Sequence, residues 1–170
     1  WSSTAATPNK CGGNVYGKVG ATVASITING GEFHCTNGIF AGGRGTDFFY
    51  SQNPYGGNSG NYKALGKTYG NVELNINGGI FYCPVFGGGY GVADAKEMGT
   101  SNVETLSDMA RLYGQSSVNI MGGTFYKNIY GGGDMAIVEF DGNATNVVIG
   151  DSADIRGSVF AGGNGRRLRP

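Results

Sequence analysis

Three cysteines, one histidine and a few aspartates are the residues of this chain whose types invite chemistry. Cys35 and Cys83 occupy matching places, each seven residues beyond an isoleucine, Ile28 or Ile76, that closes a short alternating apolar run. If those runs are equivalent strands about 4.8 Å apart, the two Cα atoms fall within disulfide range. A crosslink there implies an oxidising, extracytoplasmic setting, and two buried free thiols are the alternative. Lys127 holds the same place in a third copy, so the cysteine ladder stops at two. Cys11 makes the count odd, which in an exported protein points to a bond with another chain.

Metal and catalytic chemistry find less material. No Cys-x-x-Cys or histidine cluster offers a zinc site. Residues 42–50, G-G-R-G-T-D-F-F-Y, fit the calcium-binding nonapeptide with Asp47 at its acidic position. The motif occurs once, whereas such sites need tandem copies to share the ion, so the match is read as chance. Asp151 and Asp154 come nearest to the paired carboxylates of a sugar-cleaving enzyme, and turn capping accounts for them more simply. His34 adjoins Cys35, but neighbours along a strand face opposite ways, against a Cys-His nucleophile. The expectation is no enzyme, no metal and no cofactor. Asn143 opens a glycosylation sequon, Asn143-Ala144-Thr145, consistent with export.

The elements that must position these residues recur. Residues 26–43, 74–88, 118–132 and 147–163 repeat one pattern: an alternating run such as Leu74-Asn75-Ile76, a Gly-Gly, an aromatic, then an aliphatic-aromatic pair and a second Gly-Gly. The alternation puts the aliphatics on one face of a strand. The pairs Gly30-Gly31, Gly78-Gly79 and Gly122-Gly123 are expected to supply positive φ at a bend before Phe33, Phe81 and Phe125. Asn29 and Asn77, at matching turn positions, suit an amide ladder. A partial copy spans about 11–20, and inserts at 46–68 and 90–114 interrupt the array. In the second insert Ser101 and Glu104 form a capping box, and Leu106, Met109, Ala110 and Tyr113 share a face, predicting one short helix that stops at Gly114. That helix would pack on the flank of the array or bind a partner. The fold class is therefore all-β: stacked β-arches or a parallel β-solenoid in a single repeat domain over 1–170, with a Gly-rich antiparallel sandwich as the alternative.

Composition narrows the partners. Lys plus Arg and Asp plus Glu balance at 12 each, which leaves no field to hold nucleic acid or an anionic membrane. Charged residues make up only 14%, against 10 Tyr and 9 Phe, so mutual repulsion is low and self-association is favoured. The 34 glycines follow no Gly-X-Y period, which excludes collagen. No apolar run reaches membrane-span length, and the first residues lack the form of a signal peptide, so an exported chain has had its signal removed. Arg166, Arg167 and Arg169 are the one charge run, a solvated tail or a contact for acidic groups of a neighbour.

The motifs V-x-I-x-G-G-x-F and [IV]-[FY]-x-G-G resemble repeats of large exported surface proteins of bacteria and archaea with β-solenoid folds. A short Gly-rich β-arch chain with few cysteines is also similar to the sheath proteins of filamentous methanogenic archaea, which stack into amyloid-like hoops. The expected role is a structural subunit that pairs with copies of itself, edge to edge, into an extracellular sheath, surface layer or fibre. The alternative is a cell-surface adhesin whose Tyr50, Tyr55, Tyr62 and Tyr69 stack on cell-wall or surface glycans. A polysaccharide lyase is the third reading.

Overall fold

Alternating apolar side chains place the longest strands, and recurrence of the pattern places their partners. The computed structural model describes residues 15–18, 20–45, 66–91 and 109–165. The first unit supplies β1 (Val15–Tyr16), β2 (Thr22–Ile28), β3 (Glu32–Phe33) and β4 (Ile39–Phe40). The second supplies β5 (Thr68–Tyr69), β6 (Asn71–Ile76), β7 (Ile80–Phe81) and β8 (Val85–Phe86). The third has β9 (Leu112–Tyr113), β10 (Ser116–Phe125) and β11 (Ile129–Tyr130), and the fourth β12 (Val138–Glu139), β13 (Thr145–Ile155) and β14 (Val159–Phe160). The described chain is all-β, with every strand pair parallel and joining like positions of consecutive units.

Three sheets result: β1-β5-β9-β12; β2-β6-β10-β7-β3 with β13 also on β10; and β14-β11-β8-β4. Register follows the repeat, so Ile26 faces Leu74, Leu74 faces Val118, and Val118 faces Val147. A fourth column of single bridges runs Arg44, Tyr90, Asp134, Asn164. Parallel neighbours need a long crossover, and here the remainder of each unit provides it.

Four expectations need correction. The helix predicted to end at Gly114 is not there in its described part: Leu112–Tyr113 is β9, paired with Thr68–Tyr69 and Val138–Glu139, and Ala110 has φ 55°. Two parallel neighbours satisfy the backbone groups that one isolated helical turn could not, which overrides the local spacing. Residues 101–108, with Ser101, Glu104 and Leu106, lie outside the described residues, as does Asp47. Second, Val15–Tyr16 is no partial leading copy but the first strand of unit one, on Thr68–Tyr69. Third, the inserts are shorter than 46–68 and 90–114, because Thr68, Tyr90 and Leu112 already belong to sheets or bridges. Fourth, positive φ falls on the second glycine of each pair alone: Gly31 (110°), Gly79 (123°) and Gly123 (109°). Their partners Gly78 and Gly122 instead lie under a carbonyl of the preceding unit, where a Cβ would stand 3.2 Å from Asn29 O and 2.8 Å from Asn77 O. Gly30, in the first unit, has nothing within 4 Å on that side among the described residues. The pairs kink a continuing sheet, since β10 runs unbroken through Gly122-Gly123.

The core lies between the two inner units. Val72, Leu74, Ile76, Phe81, Val85, Leu112, Val118, Ile120 and Ile129 are fully buried, while Ile26, Ile28, Phe33, Ile39, Val147 and Ile155 of the outer units are only partly covered. Most of these inner side chains have apolar register partners in both neighbouring units, although Val72 meets Ser116 and Leu112 meets Thr68; burial is worth about 1.5–3 kcal/mol apiece. Ser116, also buried, donates its hydroxyl to Gly131 O at 2.7 Å. Irregularities gather in the outer units. The turn through Thr36-Asn37 lengthens unit one, and β13 carries a bulge opposite Ile120–Gly122.

Candidate functional site: ladders of like side chains

Parallel in-register pairing sets identical positions one above another, so like side chains form columns. Inside, Phe33, Phe81 and Phe125 stack with centroids 4.9 and 4.5 Å apart. Separately, Phe40, Phe86, Tyr130 and Phe160 form a four-ring column at 4.7, 4.8 and 5.0 Å, with Phe86 buried. Tyr16, Tyr69 and Tyr113 stack at 5.1 and 4.7 Å. His34, Tyr82 and Tyr126 stack at 4.5 and 4.8 Å, and the Arg156 guanidinium continues that column 4.6 Å from the Tyr126 ring.

Amides behave alike. Asn77 Nδ2 donates to Asn29 Oδ1 at 2.7 Å, and Asn119 Nδ2 donates to Asn75 Oδ1 at 2.8 Å. The first pair is the ladder expected from matched turns; the second sits within the strands. Asn164 Nδ2 likewise donates to Asp134 Oδ1 at 2.8 Å.

The stacking decides what the rings can do. Both faces of Phe86 and Tyr130 are covered by their column neighbours, so neither offers a face to a sugar, although both line an open cleft of about 330 Å³ with Thr36, Asn37, Lys127 and Asn128. Tyr69, one of the proposed sugar platforms, is likewise held between Tyr16 and Tyr113. Tyr50, Tyr55 and Tyr62 lie outside the described residues. In these columns, among the described residues, ring faces open at the ends, where Phe160 is 44% exposed.

The remaining candidates are scattered. His34 Nε2 meets Glu32 Oε1 at 2.8 Å on an exposed edge. Asp154 lies within β13, held by Arg156 at 2.9 Å, and Asp151 lies in the same strand, so neither caps a turn. No group of three metal-ligating side chains occurs among the described residues. Asn143 is exposed just before β13, and its carbonyl accepts a 2.8 Å hydrogen bond from Gln115 Nε2. Cys11 and the arginines 166, 167 and 169 lie outside the described residues.

Cys35 and Cys83 do come together across units one and two, but as free thiols, one exposed and one buried, rather than as the expected crosslink. Burial, with the neighbouring Cys35 thiol, pushes the Cys83 thiol up to about 11. Oxidation should therefore begin at Cys35: its thiolate breaks the S–S bond of oxidised glutathione, forming a mixed disulfide and releasing one glutathione thiol, and Cys83 then displaces the second, so that two electrons pass to the oxidant. That closing step needs the Cys83 thiolate and should quicken as pH rises toward about 11. Mass mapping should find the Cys35–Cys83 bond, with stability raised by about 2 kcal/mol. Both thiols still free after equilibration would exclude it.

The Tyr column escapes sequence reading because its strands are two residues long, though Val15-Tyr16-Gly17, Thr68-Tyr69-Gly70 and Leu112-Tyr113-Gly114 share a Tyr-Gly signature. No family model, curated protein or solved structure matches this chain.

Proposed function

We propose that the four units wind as one parallel β-solenoid, and that the protein is a structural subunit assembling through its open strand edges into an extracellular sheath, surface layer or fibre. The observation that carries this is the state of the outer units. Strands β2, β4, β13 and β14 have one neighbour each among the described residues, and Val148, Ile149, Val159 and Phe160 are exposed there. An unpaired apolar edge is a template for another chain, and the ring columns present stacking faces along the same axis.

A glycan-binding role has its own support. The chain leaves for both inserts from one corner, after the bridged residues Arg44 and Tyr90, and the third unit crosses that corner by a short link after Asp134. Insertions grouped on one side of a repeat array commonly form a binding face. Microscopy and fibre diffraction of purified protein separate the two readings. Assembly predicts filaments or sheets with a repeat near 4.8 Å. Concentration-independent monomers without that spacing would leave the adhesin as the better account.

A further inference from the structure

We infer that copies associate head to tail, the fourth unit of one on the first unit of the next, so that the assembly is polar and its two ends differ. This rests on the assembling reading and names its interface. Within the chain all strands of all three sheets pair in parallel. Displacement along the stack continues the three sheets at once. Head-to-head or tail-to-tail contact reverses strand direction in every sheet, and loses the common register. A heterologous contact of this kind propagates without limit or closes into a ring.

Register then names the partners. Val147 is the fourth-unit counterpart of Ile26, Ile149 of Ile28, and Phe160 of Phe40. In the contact each meets its counterpart, apolar on apolar, and the outer face of Phe160 covers Phe40. The space beside Gly30, filled at Gly78 and Gly122 by a carbonyl of the preceding unit, opens on the side from which the preceding copy's fourth unit arrives. There it receives the strand that carries an extra residue in its bulge.

Charge supplies the specificity. In this part of the fold charged side chains occur at the outer units, Glu32 hydrogen-bonded with His34 and Asp154 paired with Arg156, while the inner units place Ile80, Tyr82, Thr124 and Tyr126 at those positions. Arg156 already lies over Tyr126, and its opposite side meets the His34 ring, with its guanidinium in reach of both Glu32 and Asp154. Charges on an edge discourage indiscriminate pairing, and these suit one partner edge.

The test is charge reversal in the full chain. Arg156→Glu sets a third carboxylate beside Glu32 and Asp154 and should raise the critical concentration for assembly at least about tenfold. Fluorescently labelled Arg156→Glu copies should stay soluble alone yet pellet with unlabelled Glu32→Arg copies, whose altered edge complements theirs. Circular dichroism checks that each variant folds, and His34→Glu delivers the same repulsion from the opposite edge should Arg156→Glu misfold. Unchanged assembly of both Arg156→Glu and His34→Glu, or failure of Glu32→Arg to recruit Arg156→Glu, would overturn the head-to-tail contact while leaving self-assembly standing. A wild-type chain that stays monomeric removes self-assembly itself, and with it this interface.

Discussion

Replacing Phe81 with alanine is expected to lower stability by about 3–5 kcal/mol, the range for a large aromatic removed from a packed core. Phe81 is fully buried. Its ring lies between Phe33 at 4.9 Å and Phe125 at 4.5 Å, both nearly parallel to it. Truncation therefore removes two stacked contacts and opens a cavity whose walls are strand backbones held in register by hydrogen bonds to neighbouring units, such as Tyr82 N to Phe33 O and Tyr126 N to Phe81 O. Such walls collapse poorly, which favours the upper part of the range. Phe33→Ala, at a half-exposed position of the outer unit, should cost clearly less. Urea unfolding followed by circular dichroism measures both. Equal losses for the two variants would mean that the inner units are not the core.

Gly88→Ala is the second large effect. The new Cβ would stand 2.5 Å from Gly133 N, 2.8 Å from Gly133 Cα and 2.9 Å from Gly132 C, all backbone atoms that cannot rotate away. Two hydrogen bonds cross this point, Gly88 N to Gly132 O and Gly42 N to Gly88 O, each 3.0 Å. Overpacking together with the strain on both bonds is expected to cost about 3–5 kcal/mol. Gly162 occupies the same column in the fourth unit, where a Cβ meets nothing within 4 Å. Gly162→Ala should therefore change the unfolding free energy of the unassembled chain by no more than about 0.5 kcal/mol. A tolerated Gly88→Ala would show that the units are spaced more loosely than this column requires.

How far these effects can be anticipated without coordinates differs from residue to residue. Alternation in Leu74-Asn75-Ile76 and Val118-Asn119-Ile120 assigns the inward face, because a strand turns successive side chains to opposite sides, and Leu74, Ile76, Val118 and Ile120 are fully buried. Repetition at similar offsets also aligns the strands that pair in parallel, and aligned Asn29 and Asn77 meet as an amide ladder.

Other features belong to tertiary structure alone. The spacing of Leu106, Met109, Ala110 and Tyr113 suits a helix, yet Leu112–Tyr113 is a strand because its partners lie far along the chain, and two residues carry no periodicity by which to find them. Neighbouring glycines look alike in sequence, but Gly79 and Gly123 are required by left-handed φ, whereas Gly88 is required by the backbone of another unit. Burial of Cys83 beside an exposed Cys35 likewise depends on which unit lies outermost. The chain itself determines which residues repeat and which face inward, since both follow from local pattern. Which repeats have paired strands on both sides among the described residues, and which on one side alone, is decided by the order of strand pairing in the three sheets, because that pairing joins residues far apart in the chain.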